Sequence, residues 1–129
     1  MSATVIERWH EVVKSRDAAA LQALLAEDVV FHSPVVHTPQ KGRAITTAYL
    51  SAALSVLGTP DFRYVREVVG ANDAVLEFMV ELDGIQLNGV DIISWNDQGQ
   101  ITDFKVMIRP LKAINLIHEK MAAMLAAMK

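Results

Sequence analysis

At 129 residues, 52% hydrophobic and 21% charged, the chain has the make-up of one folded domain that can bury a core without disulfide or metal staples. It contains no cysteine, which excludes disulfides, thiol catalysis and thiolate metal sites, and its net charge of −3 offers no basic footprint for nucleic acid or an anionic membrane. The N-terminus lacks the basic segment and apolar run of a secretion signal, and no stretch is apolar enough to span a bilayer; a soluble, cytoplasmic protein is expected.

In chain order, residues 4–14 place Val5, Trp9, Val12 and Val13 on one helical stripe, with Thr4 and Glu7 in capping-box spacing. Asp17 can cap a second helix, Ala18–Ala26, with Leu21, Leu24 and Leu25 on its apolar side. Residues 28–35 (DVVFHSPV) read as a strand ended by Pro34, followed by a loop with Pro39 and Gly42. A third helix, Ala44–Leu57, stops at Gly58 with Pro60 just beyond. Phe62–Val69 is a strand, Asn72-Asp73 a turn, and Ala74–Leu82 the expected longest strand, with Leu76, Phe78, Val80 and Leu82 on one face. Asp83-Gly84 is a hairpin signal. After Pro110 the period changes: Leu111, Ile114, Ile117, Met121, Leu125 and Met128 mark an amphipathic helix to the C-terminus. Helix, helix, strand, helix and then strands in hairpins is an α+β layout, with helices covering one face of a strongly curved antiparallel sheet.

The stretch Gly89–Arg109 carries the chemistry. Its runs Val90–Trp95 and Ile101–Arg109 flank Asn96-Asp97-Gln98-Gly99, a hairpin. On the second strand Phe104, Val106 and Ile108 share one face, and Asp103, Lys105, Met107 and Arg109 the other. The first strand is apolar on both faces, so parity leaves its orientation open. Asp91 sits in it with no basic neighbour in sequence. Such a carboxyl reaches solvent or a partner, or it is held neutral.

The layout, with VVFHSPV after two helices and GVDIISWNDQGQI near the end, resembles the SnoaL-like branch of the nuclear transport factor 2-like superfamily, over roughly residues 4–109. The resemblance implies a single domain spanning residues 1–129: a cone-shaped antiparallel sheet with N-terminal helices over its concave face, plus an extra C-terminal helix at about 111–128. Set beside ketosteroid isomerase, a member of the superfamily, Asp91 falls where that enzyme keeps a protonated aspartic acid. Trp9 falls at its oxyanion-hole tyrosine, and Ser33 at its general-base aspartate. Since serine alone cannot shuttle a proton at neutral pH, the isomerase mechanism is not expected unchanged. The resemblance also puts Asp91, Ile93 and Trp95 on the concave face with Leu76, Phe78, Val80, Phe104, Val106 and Ile108. That makes an apolar pocket for a small hydrophobic or aromatic molecule. The opposite face, with Val75, Glu77, Met79, Glu81, Ile92, Lys105, Met107 and Arg109, suits a sheet-to-sheet homodimer.

Each candidate has a plain structural alternative. Asp91 is a pocket acid or an aspartate bonded to nearby amides, and Trp9 is a donor or core packing. His32 and His37 are the candidate bases at the pocket mouth. Phe31 and His32 take opposite faces of their strand, and the pattern leaves open which of them faces inward. Turned inward, His32 pairs with Asp91 for acid–base chemistry; His37 is expected in solvent. Ser33 and Tyr49 would orient a ligand, Tyr64 falls near the sheet edge and is not counted in the site, and His118 is expected on the surface. No metal and no cofactor are expected, because two histidines five apart lack a third ligand. The C-terminal helix closes the open end of the cone, packs across a dimer, or lies on its own sheet. The expectation is cofactor-free isomerase, cyclase or dehydratase chemistry with Asp91 as acid and His32 as base; the alternative is a ligand-binding or dimerisation module without turnover.

Overall fold

The structure, a computed structural model, describes residues 4–127. Helix α1 (Val5–Ser15) starts at the expected capping box, with the Thr4 hydroxyl taking the Glu7 N–H and the Glu7 side chain returning to the Thr4 N–H. Val5, Trp9 and Val12 are buried on its inner stripe together with Ile6. Asp17 caps α2 (Ala18–Leu24) by accepting the N–H groups of Ala19 and Ala20. That helix ends two residues earlier than its apolar periodicity suggests. Leu25 instead opens strand β1 (Leu25–His32) and pairs with Ile101. A buried backbone pairing there outweighs helix propensity, which is a weak local preference.

The expected loop after Pro34 contains a two-residue strand, β2 (Gln40–Lys41), paired to Val30 and Phe31 of β1. Helix α3 (Arg43–Leu57) stops at Gly58. A meander follows: β3 (Arg63–Val69), β4 (Asp73–Leu82), β5 (Ile85–Trp95) and β6 (Ile101–Arg109). Between β4 and β5, Asp83 and Gly84 both have positive φ (51° and 79°), the backbone a two-residue hairpin requires. At 11 residues β5, and not β4 at 10, is the longest strand. Its start at Ile85 was hidden by the polar Gln86 and Asn88.

The sheet order is β2-β1-β6-β5-β4-β3. Every pair is antiparallel except β1 with β6, which is parallel. Register sets one row of side chains across the concave face, Leu76–Asp91–Val106, with Phe78–Gly89–Ile108 beside it on one side and Ala74–Ile93–Phe104 on the other. Helix α4 (Leu111–Ala127) packs against α3, β5 and β6. It buries Ala113 and Ile117, whereas Leu111 is 71% exposed. Ile114, Ile117, Met121 and Leu125 of the expected stripe are buried or half-buried, so the stripe holds except at Leu111, and Ala113 joins it on the inner side. Met128 lies outside the described residues. No helix among those residues is long and apolar enough to cross a membrane.

Candidate active site

The cone holds a cavity of about 260 Å³ between the sheet's concave face, α1, α3 and α4. Its walls are mostly aromatic and aliphatic. Trp9 meets Phe104 edge-on at 4.9 Å between ring centroids, and Phe62 lies 5.2 Å from both Phe78 and Tyr64. Gly89 makes part of this shape: a Cβ there would come within 2.4 Å of the Phe78 ring, so the ring lies directly over the β5 backbone.

Asp91 is the carboxyl in the wall and is 5% exposed. Its Oδ2 accepts a hydrogen bond from the Tyr64 hydroxyl at 2.7 Å, and that hydroxyl oxygen accepts one from the Trp9 indole Nε1 at 2.9 Å. A phenol has one proton to give. Tyr64 gives it to Asp91, so within this chain of bonds the member that can donate to a ligand is Asp91 in its protonated form. Among the described residues, no lysine, arginine or histidine forms an ion pair with Asp91. Burial pushes its carboxyl up to about 7, against a smaller downward pull from the Tyr64 bond. Burial and the neighbouring Asp91 charge push the Tyr64 phenol well above its ordinary value.

Trp9, Ser33, Tyr49, Phe78, Phe104, Val106 and Ile108 line the same cavity, as does Asp91. Ser33 uses its Oγ to accept the Val35 N–H at 3.1 Å, a local turn at the end of β1. Val80, Ile93 and Trp95 do not line it. Val80 and Ile93 are fully buried one row further along their strands, and Trp95 is half-buried against the core. Strand parity assigns a face but not how far along that face the helices seal it.

His32 is not in the pocket. Phe31 turns inward, 2% exposed, while His32 Nε2 bonds Asp103 Oδ1 at 2.9 Å on the convex side of the sheet. A phenyl ring gains more from burial than an imidazole, so the strand orients by Phe31 and the expected His32–Asp91 pair does not form. His37 is exposed in the loop after β1.

Two polar wall residues, Tyr64 and His118, are not among the sequence candidates for the site. Tyr64 is indeed on the edge strand, but its side chain points inward with Phe62. The signal was their i, i+2 spacing, obscured because the β3–β4 register shifts between Tyr64 and Arg66. His118 is exposed to solvent yet lines the cavity from α4; the signal was its alignment with Met121, Ala122 and Leu125.

An α+β cone of four helices over a curved six-stranded sheet is the fold of a nuclear transport factor 2-like protein. The sequence matches the SnoaL-like domain over residues 6–104, and the chain belongs to that family. Among solved structures it is similar to a steroid delta-isomerase from Pseudomonas aeruginosa, with 35% identity, a TM-score of 0.88, and coverage of 95% of this chain and 90% of that one. It is also similar to an uncharacterised protein with a cystatin-like fold from Silicibacter pomeroyi, at 36% identity and TM-score 0.85, covering 92% of this chain and 83% of that one. A putative ketosteroid isomerase from Kribbella flavida shares the fold, at 19% identity and TM-score 0.66, over 82% of this chain and 76% of that one. No curated protein matches the chain.

Proposed function

We propose that the protein binds a small, largely apolar molecule in the cone through one oxygen hydrogen-bonded to neutral Asp91, and catalyses cofactor-free proton transfer on it, of the isomerase, cyclase or dehydratase type. The observation that carries this reading is the Trp9–Tyr64–Asp91 chain of hydrogen bonds, set in an apolar cavity. It fixes Asp91 and leaves its Oδ1 without a bond from the protein among the described residues. Likeness to a steroid delta-isomerase at 35% identity supports chemistry of the isomerase type. A second reading, binding without turnover, is favoured by Asp91 being the only carboxyl in the wall among the described residues.

The test is titration with 2-naphthol, a flat apolar phenol, followed by tryptophan fluorescence. Asp91→Asn is expected to weaken binding about three- to tenfold, the usual net worth of one hydrogen bond between neutral groups. Equal affinity in the two proteins contradicts the reading.

The convex face is proposed to pair with a second copy. Val75 and Met107 are exposed there beside Glu77, Lys105 and Arg109, so a two-fold axis could set acidic against basic groups around an apolar centre.

A further inference from the structure

The family match ends at residue 104, and α4 lies beyond it. This helix nevertheless supplies a wall of the cavity, with Ile117, His118, Met121, Ala122 and Leu125. Those positions are spaced one, three, one and three apart, so they share one face of the helix. Buried Ile117 and Ala113 anchor it, and Lys120 ties it to Asp83 in the β4–β5 turn at 3.2 Å. His118 is thereby held toward the cavity rather than on the outer side of the helix.

The chemistry of the walls isolates this residue. Tyr64 gives its proton to Asp91 Oδ2, Asp91 is left to hold the ligand oxygen, and the Ser33 Oγ accepts the Val35 N–H. Of the other histidines, His10 bonds Glu67, His32 bonds Asp103, and His37 lies in an exposed loop. The titratable groups facing the cavity are therefore Asp91, Tyr64, Tyr49 and His118, among the described residues. Helix α3, packed against α4, carries no charged residue between positions 44 and 57, and the charged groups next to His118 on its own helix are Glu119 and Lys120.

We propose that His118 is the general base of the pocket, acting on a carbon acid: a ketone or enone whose carbonyl oxygen is held by Asp91. This rests on the reading of Asp91 as hydrogen-bond donor. In the step, the unprotonated ring nitrogen of His118 takes the proton from the carbon next to the carbonyl. The C–H electron pair becomes the carbon–carbon double bond of an enolate, and the carbonyl π pair moves onto oxygen, where the Asp91 hydrogen bond stabilises it. The imidazolium then returns the proton, either to the same carbon, giving exchange with solvent, or to the far end of a conjugated system, giving isomerisation. No oxidant, reductant or co-reactant is consumed.

The experiment uses 2-tetralone, a two-ring ketone with acidic C1 protons, in D₂O, with exchange at C1 followed by proton NMR and binding followed by tryptophan fluorescence. The wild-type protein is expected to accelerate exchange over buffer. His118→Gln should slow it about 100-fold or more, the usual worth of a positioned base, while 2-tetralone affinity stays within about twofold. Added imidazole should restore exchange in His118→Ala. His118 is solvent-exposed, so both variants are expected to fold, with circular dichroism as the check. Exchange in His118→Gln within about threefold of wild type overturns the assignment, and so does wild-type exchange no faster than buffer with 2-tetralone bound. If affinity and exchange fall in Asp91→Asn but exchange survives in His118→Gln, the base alone is wrong. If 2-tetralone binding is absent or indifferent to Asp91→Asn, the pocket reading fails and the base with it.

Discussion

Asp91 lies between Leu76 and Val106 in a row of side chains that excludes water from one side of its carboxyl, while Tyr64 bonds the other. This has a consequence for stability. In the unfolded chain Asp91 titrates near its ordinary ~3.9, whereas in the fold it titrates at about 7. The folded state thus holds a proton that the unfolded state has lost, and stability falls as pH rises between those values. The stabilisation is present in full below about pH 4 and gone above about pH 7. The loss is on the order of 4 kcal/mol, from 1.36 kcal/mol per pKa unit over the shift from 3.8 to about 7. Asp91→Asn removes this titration. Urea unfolding at a series of pH values should show the wild type losing stability relative to Asp91→Asn across that window; parallel curves would contradict it. Tyr64→Phe should act on the same group differently. It removes the one bond that favours the charged form, so the Asp91 carboxyl rises further, and it strands the buried Trp9 N–H. A stability loss of about 1–3 kcal/mol is expected, the usual cost of an unsatisfied buried donor, read by thermal unfolding.

At the scale of elements, β5 and α4 shape the cavity. Gly89→Ala on β5 sets a methyl 2.4 Å from the Phe78 ring, and since the other side of that contact is strand backbone, the ring must swing toward the cavity. We expect a loss of about 1–3 kcal/mol from the overpacking, together with weaker 2-naphthol binding; unchanged affinity would mean the ring has another way to move. Ile117 is the buried anchor of α4 at 4% exposure, and Ile117→Ala should cost about 2–4 kcal/mol. If α4 were only a helix lying on the outside of its sheet, the melting temperature would barely change.

For the whole molecule, the proposed pairing through the convex face implies that Met107→Glu, in the middle of that face, yields monomers in sedimentation equilibrium where the wild type is dimeric. A wild-type monomer would remove the interface. The general plan was legible in the sequence because each signal for it is local: the Thr4–Glu7 and Asp17 caps, Gly58 after α3, Asp83-Gly84 between strands, and alternation in β4 and β6. Asp91 was legible as an acid stranded in apolar sequence. What decides the rest is long-range. The parallel pairing of β1 with β6 ended α2 early, and burial of Phe31 sent His32 outward. The irregular register of β3 hid a tyrosine 27 residues from the aspartate it holds, and only the docking of α4 revealed that His118 faces the cone. Periodicity along one strand or helix cannot report a partner that the fold brings from elsewhere.

The chemistry proposed for the pocket depends on an acid kept neutral inside the cone. The most direct measurement is the pH titration of the Asp91 side-chain carboxyl by ¹³C NMR, with Asp91→Asn identifying the resonance. A midpoint near 7 is the expected result, with the signal otherwise insensitive to salt because no ion pair among the described residues holds it. A midpoint at or below the ordinary ~3.9 would mean a solvated or paired carboxylate, and would contradict Asp91 as the hydrogen-bond donor of the pocket.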